Sequence, residues 1–181
     1  MSGFPELMTS ALTPVTVVGE ILIIVLLVAL VRARTQRRPN AVTQFFGKYG
    51  FMLSLLVALA AVVGSLTYSE IAGFEPCVLC WYQRIFMYPL VILFAVALWK
   101  KDEGVTKYVL PLAVIGAAIA AFHYIGQMFL PDLLTCEAVG SSASCAQRFF
   151  VGLGHITLPF MSFVAFVSII LFTLARRTWR P

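Results

Sequence analysis

Charged side chains are scarce in this 181-residue chain: Asp, Glu, Lys and Arg make up 12% of it, against 61% hydrophobic residues. Soluble domains carry about 25% charged residues, so this chain has too little polar surface to cover a soluble particle. Its high apolar content also excludes intrinsic disorder. Since a membrane-spanning helix needs about 20 residues, the length allows five spans with short connections and leaves no room for a separate soluble domain.

Five apolar stretches are present, over residues 15–31, 49–68, 85–99, 108–129 and 156–175. Each is predicted to be a helix, because a spanning segment must satisfy its own backbone hydrogen bonds and no stretch alternates with the period of two of a barrel strand. The third span is expected to begin earlier, within residues 80–82, which places Trp81 and Tyr82 at the membrane interface. The sequence therefore predicts an all-α membrane protein.

Basic residues are unevenly distributed between the connections. Most of the 13 Lys and Arg lie after the first, third and fifth stretches, at Arg32, Arg34, Arg37, Arg38, Lys48, Lys100, Lys101, Lys107, Arg176, Arg177 and Arg180. The positive-inside rule makes these connections cytoplasmic, and puts the N-terminus and the loops 71–83 and 130–155 outside. The net charge of +5 thus reports orientation in a lipid membrane and does not indicate nucleic-acid binding.

The first stretch is interpreted as a retained helix and not as a signal peptide, because its basic cluster follows the apolar run and the first fourteen residues contain no Lys or Arg. Glu20 lies inside it. An intramembrane carboxylate is a candidate functional residue, and the alternative is a carboxyl group that reaches the outer interface or is protonated.

All four cysteines, Cys77, Cys80, Cys136 and Cys145, fall in the two outward loops. In a bacterial inner membrane these loops face an oxidising compartment, where disulfides form and persist. Two structural disulfides are one alternative, with three possible pairings. A zinc site of four thiolates is disfavoured by the spacing and by the oxidising surroundings, so no metal is predicted.

Cys77 and Cys80 form a C-x-x-C that leads into the third span. Cysteines three apart at a helix start share a face, and the positive end of the helix dipole favours a thiolate there. Arg84, one turn further on, would favour a thiolate at Cys80 and hold an anionic or carbonyl group of a ligand; the alternative is an anchor to lipid headgroups.

His123 and the second cysteine pair are further candidates. His123 lies about two turns before the end of the fourth span, where it can bind a ligand carbonyl or donate a proton, or simply pack against a neighbour. Cys136 and Cys145 are separated by eight mostly small residues. Such a segment can open a disulfide and let a protein partner reach one sulfur.

The run from Phe74 to Arg84, with its C-V-L-C-x-x-Q-R string, resembles the first external loop of DsbB-type disulfide bond formation proteins and their shorter BdbC relatives. The resemblance covers about residues 49–175. It implies a four-helix transmembrane bundle in residues 49–181, preceded in residues 1–48 by an additional transmembrane helix and a basic linker.

This resemblance implies a protein-disulfide:quinone oxidoreductase that reoxidises a DsbA-like thioredoxin-fold partner. It assigns the mixed disulfide with the partner to Cys136, with Cys145 as its companion. Cys77 and Cys80 are implied to be the pair coupled to ubiquinone or menaquinone, and Arg84 and His123 to bind the quinone.

Two further hypotheses remain at this stage. A quinone reductase of the vitamin K epoxide reductase type uses similar chemistry, but the order of the cysteine pairs in the chain argues against it. A non-catalytic membrane protein with structural disulfides would have unreactive cysteines and no quinone. The short spacing of the second pair and the N-terminal helix depart from the longest-studied DsbB proteins.

Overall fold

A computed structural model of the protein describes residues 3–131, 134, 144–149 and 151–178. Within them the chain forms five long helices, namely α1 (Gly3–Gln36), α2 (Ala41–Leu66), α3 (Val78–Lys100), α4 (Thr106–Phe129) and α5 (Leu158–Thr178). All five are long and apolar enough to cross a membrane. The prediction of an all-α protein with five spans, a four-helix bundle plus an N-terminal helix, is confirmed.

The start of α2 lies eight residues before the predicted one, at Ala41. Asn40 caps the helix, because its side chain accepts a hydrogen bond from the Thr43 amide at 2.9 Å and the Thr43 hydroxyl accepts one from the Asn40 amide at 3.1 Å. The side-chain nitrogen of Asn40 also donates a hydrogen bond to the Ala29 carbonyl of α1 at 2.7 Å. Lys48 therefore lies on a helix and not in the connection, since the cap begins the helix before the apolar run.

The start of α3 was also predicted too late. Cys77 is the N-cap, and its sulfur accepts a hydrogen bond from the Cys80 amide at 3.4 Å, so the helix begins at Val78. Trp81 and Tyr82 remain half exposed, as expected for side chains at the interface. The first cysteine pair thus sits on the first turn of a rigid helix.

Helix α5 contacts each of the other four helices and forms the centre of the bundle. Its Phe166 and Ile169 are fully buried in a core shared with α2, α3 and α4, which includes Phe51, Leu90, Phe94 and Val109. Gly116 of α4 lies directly against Phe166: a Cβ atom at this glycine would be 2.3 Å from the Phe166 ring. The close approach of α4 and α5 therefore requires the absence of a side chain there.

The basic ends of the helices meet at one end of the bundle. Arg176, in the last turn of α5, is paired with Glu103 and donates hydrogen bonds to the carbonyls of Gly47 and Lys48 at 3.1 and 3.0 Å. These contacts join the end of α5 to the first turns of α2 and to the α3–α4 connection. Cys77 lies at the opposite end of α3.

We expect Gly116→Ala to destabilise the folded protein by about 1 to 3 kcal/mol, because the new methyl group overlaps the Phe166 ring. Gly64→Ala is the matched control, since Gly64 is also in a helix and a Cβ there meets nothing within 4 Å. Thermal unfolding in detergent measures both. Equal midpoints for the two variants would contradict the packing described for Gly116.

Candidate redox site

The two segments that carry the described cysteines are the first turn of α3 and residues 144–149. They meet at the end of the bundle opposite the basic helix ends around Arg176. Cys77 and Cys145 are 3% and 1% exposed and pack in one apolar cluster with Leu134. Cys80 is partly buried against the same cluster. Residues that are 68 positions apart in the chain are therefore brought together by the fold. Cys136 lies outside the described residues, so its pairing with Cys145 stays a prediction.

The Cys77 and Cys80 sulfurs are 2.9 Å apart, which is longer than the roughly 2.05 Å of a disulfide bond. The hydrogen bond to Cys80 and burial of the thiol raise the pKa of Cys77 to about 12. Cys77 is therefore a protonated thiol at neutral pH and donates its hydrogen bond to the sulfur of Cys80. This arrangement makes Cys80 the sulfur on which negative charge is stabilised.

His123 connects the two segments. Its ring is 2% exposed; Nε2 is 3.0 Å from the Cys145 carbonyl oxygen and 3.8 Å from the Cys77 sulfur. Nδ1 is 3.1 Å from the side-chain nitrogen of Gln83. Because the Gln83 nitrogen can only donate, Nδ1 accepts and Nε2 carries the proton that is donated to the Cys145 carbonyl.

Polar contacts with the end of α4 hold residues 144–149 in place. The Gln127 side chain donates to the Gln147 carbonyl at 2.8 Å, and the Arg148 guanidinium donates to the Gln127 carbonyl at 2.8 Å. Arg148 thereby satisfies a carbonyl at the C-terminal end of the helix, where a cation is favourable. Together with the His123 contact, these bonds fix the position of Cys145 relative to Cys77.

A small cavity lies between the two segments, large enough for about one water molecule. It is lined by Cys77, Cys80, His123 and Cys145, together with Gln127 and Thr157. The buried oxygens Oε1 of Gln127 and Oγ1 of Thr157 have no hydrogen-bond partner among the described residues. The cavity therefore brings three sulfurs together with two unpartnered oxygens, and its lining also includes Phe149, Leu158 and Pro159.

A larger cavity opens on the other side of Cys80, with about 1300 Å³ of empty space that includes its open mouth. Its lining is mostly apolar and comes chiefly from α1, α2, α3 and α5, and its polar members include Arg84, Ser65 and Gln83. Cys80 lines both cavities. It is thus reached from the sulfur-lined side and from the apolar side.

Arg84 is buried, at 7% exposure, and is oriented by Ser65 of α2. Its Nε donates to the Ser65 hydroxyl at 2.8 Å and its Nη2 donates to the Ser65 carbonyl at 2.9 Å. The guanidinium carbon also lies 5.2 Å from the centre of the Trp81 ring. These contacts hold the plane of the guanidinium at the cavity wall. The two residues predicted to bind the ligand therefore lie in different places, because His123 lines the small cavity and Arg84 lines the large one.

Helix α1 supplies one wall of the large cavity through Leu12, Val15, Thr16 and Gly19. It packs closely on α5, since a Cβ at Gly19 would lie 2.7 Å from a methyl group of Val164. Glu20 pairs with His155, with Oε1 and Nε2 3.3 Å apart. The intramembrane carboxylate singled out in the sequence therefore joins α1 to the turn that precedes α5.

Sequence reasoning assigned no role to Gln83, Ser65, Gln127 and Thr157. Gln83 stands in the quoted C-V-L-C-x-x-Q-R string and Gln127 one turn after His123, so both are polar residues in otherwise apolar helices. That rarity was an available signal. Ser65, in a membrane helix, and Thr157, just before one, gave none, because small hydroxyl residues are common in such segments and only the fold places them at the cavities.

The family model for disulfide bond formation protein DsbB matches residues 47–176. The chain belongs to the DsbB family. It is 46% identical over 119 residues to disulfide bond formation protein C of Bacillus subtilis, which covers 66% of this chain and 86% of that protein. A probable disulfide formation protein of Deinococcus radiodurans is 42% identical over 126 residues, covering 65% and 82% of the two chains. No solved structure matched the chain.

Similarity outside Bacillus and Deinococcus includes a probable disulfide formation protein of Metapseudomonas resinovorans, 41% identical over 132 residues, or 70% of this chain and 90% of that one. All of α1 and the start of α2, residues 41–46, precede the residues matched to the family. Family membership and the five spans identify the chain as a multi-pass membrane oxidoreductase of disulfide bond formation.

In the reduced protein we expect iodoacetamide to modify Cys80 at least ~10-fold faster than Cys77 at about pH 7, since the thiolate reacts and Cys77 holds its proton. The rate at Cys77 should rise with pH towards its raised pKa. Mass spectrometry of a Cys136→Ser/Cys145→Ser variant resolves the two sites. Faster modification of Cys77 at neutral pH would show that the charge lies on the other sulfur.

Proposed function

We propose that the protein reoxidises a DsbA-like thioredoxin-fold donor and passes the two electrons through its cysteine pairs to a membrane quinone, either ubiquinone or menaquinone. The observation that carries this proposal is the position of Cys80, which lines both the sulfur-lined cavity with Cys145 and the large apolar cavity with Arg84. One sulfur can then exchange with the second pair and also face a hydrophobic electron acceptor.

The thiol side of the reaction is an exchange of disulfides. A thiolate of the reduced donor attacks the Cys136–Cys145 disulfide and forms a mixed disulfide with Cys136, and the donor's second thiol then releases Cys136. The donor leaves with a disulfide, and Cys136 and Cys145 hold two electrons and two protons as thiols. Placing the attacked sulfur in the external loop gives a folded partner access to it.

The transfer between the pairs takes place around the small cavity. Cys80 and Cys145 line the same cavity and interact electrostatically, which supports thiol–disulfide exchange between the two pairs at this place. The exchange leaves Cys136–Cys145 oxidised and Cys77 and Cys80 as thiols. His123 donates a hydrogen bond from Nε2 to the Cys145 carbonyl, and the same nitrogen lies 3.8 Å from the Cys77 sulfur. A ring that can carry a proton therefore lies beside the Cys77 thiol.

The large cavity fits a quinone. Its aliphatic walls match an isoprenoid tail, and they accept ubiquinone and menaquinone equally well. A bound quinone supplies an acceptor for two electrons and two protons. At the polar end, Ser65 fixes the Arg84 guanidinium, which can donate hydrogen bonds to a ring oxygen and stabilise negative charge close to Cys80.

The proposed location is the bacterial inner membrane, with the cysteine segments on the external side. The contacts of Arg176 support this orientation, because they gather basic helix ends at one end of the bundle. Residues 49–181 would then form the catalytic bundle. Residues 1–48 would contribute the helix that closes one side of the quinone cavity, with surrounding membrane lipid at its exposed face.

The first test is anaerobic oxidation of a reduced DsbA-like protein by the purified chain, with and without added quinone. We expect quinone reduction that is lost in Cys80→Ser and Cys136→Ser variants. Arg84→Ala should lower the rate of quinone reduction by about 100-fold, since it removes a charged donor at the acceptor, while disulfide exchange with the partner stays within about twofold.

Quinone absorbance and mass-shift alkylation of thiols report the two half-reactions separately. Ser65→Ala is a milder companion variant, because it removes one hydrogen bond to Arg84 and retains the charge. Equal loss of both half-reactions in Arg84→Ala would contradict its assignment to the quinone. Unreactive cysteines in every variant would leave no oxidase activity to assign.

A wider test concerns α1. Gly19→Leu should force α1 away from Val164 and open the cavity wall, and we expect about tenfold weaker quinone binding with unchanged thiol exchange. Val18→Leu is the matched control, because Val18 is 55% exposed. The amount of quinone retained per chain after purification is the readout. Equal retention in both variants would show that α1 does not contribute to the site.

A further inference from the structure

The small cavity contains a set of metal ligands that the sequence did not reveal. The sulfurs of Cys77 and Cys80 and a ring nitrogen of His123 all lie within 4.8 Å of one another. Two of these residues are at the start of α3, and the third is 43 positions further along the chain than Cys80, on α4. Two thiolates and one imidazole with an open fourth position form a ligand set that zinc accepts.

The geometry points to a site for a single zinc-like divalent cation, bound by Cys77, Cys80 and His123 when the cysteine pair is reduced. It needs the two thiols and no electron acceptor, so it stands independently of the quinone proposal. Nothing in the disulfide bond formation reaction requires a metal at these residues.

The distances suit a tetrahedral ion. Two sulfurs that each lie about 2.3 Å from zinc are about 3.8 Å apart, so the Cys77–Cys80 separation of 2.9 Å has to widen by about 0.9 Å. The Cys77 sulfur is already 3.8 Å from Nε2 of His123, close to the roughly 3.5 Å of a tetrahedral sulfur–nitrogen pair. Cys80 sits on the first turn of α3, where a small rotation of its side chain supplies the difference.

Two unpartnered oxygens indicate where the fourth ligand would lie. Gln127 and Thr157 are 3% and 1% exposed, line the same cavity, and have buried oxygens without a hydrogen-bond partner among the described residues. A water bound to the ion has two hydrogens to donate to such oxygens. The cavity therefore offers two buried acceptors that an apolar filling would leave unsatisfied.

Binding would rearrange the contacts of His123. Its Nε2 has to give up the hydrogen bond to the Cys145 carbonyl, and the ring proton moves to Nδ1. Nδ1 then donates a hydrogen bond to the side-chain oxygen of Gln83 after rotation of the amide. The two thiols release their protons, and the two resulting thiolates balance the charge of the cation. The metal would hold Cys77 and Cys80 as thiolates and thereby prevent them from forming a disulfide.

The test is a titration of the reduced protein with Zn²⁺ under anaerobic conditions, in a Cys136→Ser/Cys145→Ser background where Cys77 and Cys80 are the only thiols. We expect one ion per chain, measured by competition with a chromophoric chelator, and protection of both thiols from alkylation. Protein oxidised at Cys77–Cys80 should bind no ion at this site, because a disulfide does not offer thiolates.

His123→Ala should weaken binding by roughly 100-fold, since it removes one of three protein ligands. His155→Ala is the matched control, because the chain has two histidines and His155 contacts Glu20, away from the sulfurs. Equal affinities in the two variants would overturn the site, as would equal binding by the oxidised protein.

Co²⁺ gives a readout that does not depend on a variant that folds. The reduced protein that retains His123 is used. Co²⁺ bound at this site should show thiolate-to-cobalt charge transfer and the intense visible bands of tetrahedral coordination. An octahedral spectrum without charge transfer would also overturn the proposal.

Discussion

The buried His123 ring is the contact on which the redox site depends. It lies on α4 and hydrogen-bonds both to Gln83 of α3 and to the Cys145 carbonyl. It therefore connects two cysteine segments that are far apart in the chain. Because its Nε2 donates and its Nδ1 accepts, these two contacts fix the orientation of the imidazole ring. Loss of this ring would remove the hydrogen bonds that link the α3 cysteines to the Cys145 backbone, although all four cysteines would remain.

The same cluster divides the surroundings of Cys80 into two. On one side are buried polar groups and sulfur, and on the other an aliphatic cavity that holds the Arg84 guanidinium in contact with Ser65. Thiol exchange requires the first environment and a hydrophobic acceptor requires the second. Helix α1 completes the second, and its pairing of Glu20 with His155 connects that wall to the chain that follows Cys145.

Much of the fold was predictable because it follows from local patterns. Apolar runs of membrane length predicted five helices, and the fourth span began within two residues of its prediction, at Thr106. The third span also began two residues before its predicted start, at Val78, because Cys77 caps the helix. The start of α2, in contrast, was wrong by eight residues because it depends on the Asn40 cap and not on hydropathy. The proximity of Cys77 and Cys80 was predictable from their spacing on a helix.

The sequence by itself determined that the chain spans a membrane five times, that its cysteines lie between apolar spans, and which family it resembles, since hydropathy and short motifs are local properties. The tertiary structure decided that Ser65 orients Arg84, that His123 faces sulfur, and that α1 closes a cavity. These are contacts between helices far apart in the chain, and the uniformly apolar surfaces of membrane helices encode their packing only through small details such as Gly19 and Gly116.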